Sequence, residues 1–157
     1  MYLSSFPKRM LTFFKSMIKK GITTFVDFRE GGIEGILLLK QALSKLPIRS
    51  IILGRLEYYQ NFSEIRKNIS LPLNRVDELK KLTKLCDGLG ISGANENSDS
   101  VLNHYSKLSK IRAIHSSETK QSLSTSKKIT GKSETIRALK LKPHFLVHMT
   151  YASKSDL

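Results

Sequence analysis

Ile111-Arg112-Ala113-Ile114-His115-Ser116-Ser117-Glu118 is the stretch on which the fold reading turns. A mostly apolar run leads straight into a histidine, two serines and a glutamate. Physically this is a short buried strand that delivers an imidazole at its C-terminal end, with a carboxylate three positions on. Phe145-Leu146-Val147-His148-Met149-Thr150 repeats the pattern. Strands carrying histidines at their C-terminal ends are how an α/β barrel assembles a metal or acid–base site, because its chemistry sits at that face. Two core histidines satisfied by their neighbours would give the same pattern. The two runs alone leave both readings open.

Upstream of the first run, residues 22–28 (Ile-Thr-Thr-Phe-Val-Asp-Phe) are β-branched and aromatic, which predicts a strand ending in Arg29-Glu30-Gly31-Gly32. A helix follows from about 33 to 46, with Ile36, Leu37 and Leu39 on its apolar side, and Pro47 closes it. Residues 48–54 form the next strand, and the aperiodic stretch 55–72 reads as a loop with a short helix. Val76, Leu79, Leu82 and Leu85 recur at three-residue steps in a helix opening at Leu73 or Asn74. A short strand over 88–92 runs into Gly93-Ala94-Asn95-Glu96, and Ser98-Asp99 caps a helix bearing Val101, Leu102, Tyr105 and Leu108. After His115, residues 119–132 read as a serine- and lysine-rich connection and 133–141 as helical before Pro143.

Helices and strands therefore alternate, which predicts an α/β fold of about five parallel strands with crossover helices. Ser153-Lys154-Ser155-Asp156 has the form of a capping box and announces one more helix. Five parallel strands with bare edges are not self-sufficient. The expectation is a single incomplete domain over 1–157, part of a TIM-type (β/α)8 barrel.

Composition narrows the function classes. The chain has 157 residues, 39% hydrophobic and 25% charged, which are globular values. The single Cys86 allows no internal disulfide and no cysteine-based zinc site, in keeping with a reducing, cytoplasmic setting. No apolar run approaches bilayer length. Twenty-seven Lys and Arg against 13 Asp and Glu give a net charge of +14, which raises nucleic acid as a partner. The basic residues are scattered as in Lys19-Lys20, Lys80-Lys81 and Lys127-Lys128, with no aromatic-interleaved basic strand, so a solvated lysine surface explains the charge better. Residues 1–20 carry no acid and place Met10, Leu11, Phe14, Met17 and Ile18 at helical spacing. A targeting peptide has that look; a helix preceding the first strand is favoured, because the segment runs into Gly21 without a cleavage-like stretch.

The stretches Gly21-Ile22-Thr23-Thr24-Phe25-Val26-Asp27, Ile114-His115-Ser116-Ser117-Glu118 and Leu146-Val147-His148 together resemble the amidohydrolase superfamily of metal-dependent hydrolases. The likeness is to the branch holding cytosine deaminase-like, chlorohydrolase-like and imidazolonepropionase-related enzymes. It implies a distorted (β/α)8 barrel, of which this chain covers about the second to the sixth strand. It further implies a divalent metal, zinc or iron, with His115 as a ligand. His148 would ligate a second metal or orient the hydrolytic water, and Glu118 would shuttle a proton between water and a small nitrogen-containing substrate. The family's first-strand His-x-His pair has no counterpart among His104, His115, His144 and His148, and its eighth-strand aspartate falls beyond residue 157.

By the residues alone, Glu118 serves equally as a helix-N-terminal acid favoured by the macrodipole. Arg29, Glu30 and Asn95 stand at strand ends on one face and are candidates to contact substrate, or else solvated loop residues. His104 and His144 read as structural or surface residues. The functional expectation is a hydrolase acting on C–N bonds, weakly active or inactive by itself. The alternative is a non-catalytic remnant, or a subunit that completes its barrel with another copy or chain through the exposed sheet edges. A basic nucleic-acid-binding module rests on charge alone.

Overall fold

The computed structural model describes residues 6–108 and 110–156, with side chains from Arg9 onward. The N-terminal helix expected over 1–20 therefore falls partly outside the described residues. The elements are α1 (Phe6–Lys19), β1 (Thr24–Arg29), α2 (Gly32–Leu43), β2 (Arg49–Gly54), α3 (Phe62–Arg66), α4 (Leu73–Leu85), β3 (Gly88–Ile91), α5 (Asp99–Tyr105), β4 (Ile111–Ser116), α6 (Lys120–Thr130), α7 (Glu134–Ala138) and β5 (Phe145–His148). All four strand pairings are parallel and the spatial order is β1-β2-β3-β4-β5. Each crossover thus steps one strand in the same direction, as in a barrel and unlike a doubly wound sheet, whose order reverses.

The sheet is curled. Phe28 of β1 and Phe145 of β5 bring their ring centroids to 6.4 Å. Four strand spacings in a flat sheet would separate their backbones by about 19 Å. The ring of Phe28 also lies edge-on to His115 of β4 at 4.7 Å. Gly90 of β3 makes room for it, since a Cβ there would stand 2.6 Å from Phe28 Cδ1. The five strands therefore form a half-barrel with an α/β architecture, as the sequence predicts.

The core lies between the convex face and the helices. Leu89, Ile91 and Ile114 point outward and pack with Ile36, Leu39, Leu79, Leu82, Val101 and Leu102, all nearly inaccessible. Phe14 of α1 stacks on Phe25 of β1 at 5.1 Å, so the apolar stripe of that basic helix faces the sheet. On the concave side Val26 and Phe145 remain 48% and 41% exposed.

Two expectations are corrected. Residues 119–132 hold the helix α6 rather than a bare connection. Thr119 caps it by accepting from the Ser122 N–H at 3.0 Å, and Gly131, at φ 72°, ends it in the left-handed conformation. Its apolar side is thin, with only Ser126 and Ile129 buried, so hydrophobic spacing does not reveal it. The capping-box sequence at Ser153 closes a short 3₁₀ turn over Lys154–Asp156, in which Asp156 accepts from the Ser153 N–H at 2.9 Å.

Candidate metal centre

His115 is an inward-facing residue near the end of β4. Its neighbours Ile114 and Ser116 face the helices, where Ile114 joins the core and Ser116 Oγ lies 3.5 Å from Thr135 Oγ1 of α7. Burial lowers the His115 pKa, and the neighbouring His148 and the Arg55 charge push the same way, while Glu118 opposes them. The shift favours the neutral ring, the form that ligates metal.

His148, the last residue of β5, reaches the same place by breaking the strand's alternation. In the register it lies beside Ser116, and Val147 lies beside His115. Regular alternation would send its side chain to the helix layer with Ser116. His148 and Met149 instead adopt φ values of 76° and 61°. Left-handed backbone at two consecutive non-glycine residues is strained, and such strain clusters at functional sites. The turn swings His148 Nε2 to 2.9 Å from His115 Nδ1.

Glu118 is brought in by a similar device. Ser117 has φ 50°, and its N–H is gripped by the buried Glu134 carboxylate at 2.9 Å. The chain turns there, and Glu118 Oε2 stands 3.5 Å from His148 Nε2. One ligand atom from each of His115, Glu118 and His148 lies within 4.8 Å of the others. Two imidazole nitrogens bound at about 2.0–2.1 Å to a tetrahedral zinc stand about 3.3 Å apart. The observed spacing fits a shared divalent cation after a small adjustment.

The other expected site residues have different surroundings. Arg29 holds Asp27 with both Nε and Nη2, at 2.9 and 3.0 Å, on the helix side of β1. Asn95 donates to Ser122 O at 2.8 Å and to Glu134 at 3.2 Å, tying the loop after β3 to α6 and α7. Glu30 is on the rim, paired with Arg55 Nη2 at 3.0 Å. His144 Nδ1 accepts the Arg112 N–H at the entrance of β4, at the opposite end of the strands from His115.

Arg55 is a rim residue that sequence reasoning missed. Gly54 faces the helices, since a Cβ there would meet Ile36, Leu82 and Cys86. The next residue, Arg55, therefore faces inward, with its N–H continuing the ladder to Arg29 O at 3.1 Å. A single arginine in an aperiodic polar loop carries no signal of this; only the alternation along β2 could have pointed to it.

Comparison with known proteins gives a consistent but coarse picture. The chain is 34% identical over 151 residues to a protein of Methanothermobacter thermautotrophicus named "Putative aminohydrolase", covering 91% of this chain and 37% of that one. It is 35% identical over 153 residues to an uncharacterized protein of Methanocaldococcus jannaschii, covering 90% of this chain and 36% of that one. The chain thus spans little more than a third of the length of the curated relatives it matches. No family model and no solved structure matches it. No helix among the described residues is long and apolar enough to cross a membrane.

Proposed function

We propose that the chain carries part of the active site of a metal-dependent hydrolase acting on C–N bonds, of the deaminase or cyclic-amide type. The observation that carries this reading is the convergence of His115, Glu118 and His148 at the C-terminal ends of two parallel strands. The likeness to the amidohydrolase superfamily and the name of the methanobacterial relative support it.

His115 and His148 would hold a zinc or iron cation through the nitrogens that now face each other, with Glu118 beside them. Such a cation, when bound, lowers the pKa of water so that it becomes a nucleophile at neutral pH. Hydrolysis of an amide or amidine also needs a proton at the departing nitrogen. Glu118 is placed to supply it: its side chain is 58% exposed, open to water and substrate, with Oε2 3.5 Å from His148 Nε2. Phe28 walls the site on the β1 side, its ring centroid 4.7 Å from that of His115. Two imidazoles and a carboxylate are fewer anchors than the resemblance calls for, so we expect turnover by this chain alone to be low.

The second reading, a half-barrel completed by further polypeptide, rests on the exposure of Val26 and Phe145 on the concave face. The two readings are compatible, since closing the barrel would add groups to the same rim.

The test is zinc and iron(II) titration of the chain, followed by ammonia-release and ring-opening assays on cyclic amides and amidines. Binding that depends on His115 and His148, with any hydrolysis reduced about 10²–10⁴-fold by Glu118→Gln, is expected. Cation binding indifferent to both histidines would reject the reading.

A further inference from the structure

Two arginines on the adjacent strands β1 and β2 are bonded differently, and the difference points to a ligand. Arg29 spends the Nε–Nη2 edge of its guanidinium on both oxygens of Asp27. Arg55 uses only Nη2, on Glu30, and its buried Nε has no hydrogen-bond partner among the described residues. A buried donor left unbonded costs about 1–3 kcal/mol. Its partner Glu30 is 75% exposed, whereas the Arg55 side chain is 14% exposed, so the pair is easily exchanged at its acidic end. The ring of Tyr59 packs 5.3 Å from the Arg55 guanidinium carbon and fixes its plane.

We propose that Arg55 is the substrate-recognition residue of the His115–Glu118–His148 site and takes a carboxylate of the small nitrogen-containing substrate across its Nε–Nη2 edge, displacing Glu30. A carboxylate matches that planar fork with two parallel bonds. A phosphate dianion fits less well than a singly charged carboxylate, because the rim already holds the carboxylates of Glu30, on Arg55 Nη2, and Glu57, on the Gly31 N–H. Arg55 lies on the same inward face and at the same C-terminal end of the strands as His115, since Gly54 before it faces the helices and its N–H bonds Arg29 O at 3.1 Å. The assignment of the ligand as substrate rests on the hydrolase reading; the carboxylate site itself does not.

The experiment is a titration of the metal-free chain with nicotinate and, separately, with nicotinamide, which differ only in carboxylate against amide. Histidine-ring NMR signals serve as the readout. Nicotinate is expected to bind about tenfold more tightly than nicotinamide, and Arg55→Gln to abolish that difference. Glu30→Gln, which removes the competing carboxylate and leaves Arg55 in place, is expected to tighten nicotinate several-fold, and it keeps the test alive if the Arg55 variant fails to fold. Equal affinity for the two probes, nicotinate binding unchanged in Arg55→Gln, unchanged affinity in Glu30→Gln, or tighter binding of inorganic phosphate than of nicotinate would overturn the proposal. Zinc titration of the wild type separates the two readings: no cation binding beside intact nicotinate binding would reject the hydrolase and leave the carboxylate site standing.

Discussion

His148 lies beside Ser116 in the sheet register, yet its Nε2 stands 2.9 Å from Nδ1 of His115, the inward-facing residue one position earlier on the neighbouring strand. The strand must break its alternation to make that contact, and the left-handed backbone at His148 and Met149 is the break. A structural histidine needs no such device. The pairing of two imidazoles is therefore built into the backbone.

Met149→Gly tests that device. Glycine adopts φ 61° without steric cost, and the Met149 N–H bond to Ser116 O is retained. Unfolding by denaturant should show the variant equal to the parent or more stable by up to about 1 kcal/mol, with cation affinity unchanged. Met149→Val, β-branched at the same φ, should be less stable by about 1–2 kcal/mol and bind cations more weakly.

Gly90→Val probes the concave packing. The new Cβ would stand 2.6 Å from Phe28 Cδ1 and 3.0 Å from Leu53 Cβ, so the ring against His115 must move. A loss of about 1–3 kcal/mol in a chemical melt is expected, together with altered His115 ring resonances. A stable variant with an undisturbed His115 signal would contradict the curled packing described here.

Asp99 offers a pH-dependent test away from the site. Burial alone would raise its carboxyl pKa, but hydrogen bonds and charge from Arg137 and Lys132 outweigh this and hold it below the usual range. A depressed carboxylate stabilises the fold above its unfolded pKa of about 3.9 and loses that contribution as pH falls through the folded value. Arg137 is fully buried and bonded to Asp99 at 3.0 Å and to the Asn97 carbonyl. Asp99→Ala should cost about 3 kcal/mol at pH 7 by leaving that guanidinium poorly compensated. The gap between variant and parent should narrow on acidification below about pH 4.

Much of the architecture is legible in the residues. The β-branched run 22–28, the apolar run 48–54 and the two histidine-terminated runs are short enough to be strands, and the spaced leucines between them give the crossover helices. Residues 120–130 escape because their buried side is made of Ser126 and Ile129, which hydrophobic spacing hardly marks. At the site, chain order alone brings His115, Glu118 and His148 to one end of the sheet. It does not reveal that Asn95 turns to Glu134 or that Arg55 is left with a free donor, because both depend on which side chain occupies a particular neighbouring position.

Calorimetric titration of the metal-free chain with Zn²⁺, wild type beside His115→Ala and His148→Ala, tests the central claim most directly. The account predicts one tight site per chain and a loss of at least about tenfold in affinity in each variant, with melting behaviour otherwise preserved. Wild-type and variant isotherms that superimpose would contradict it.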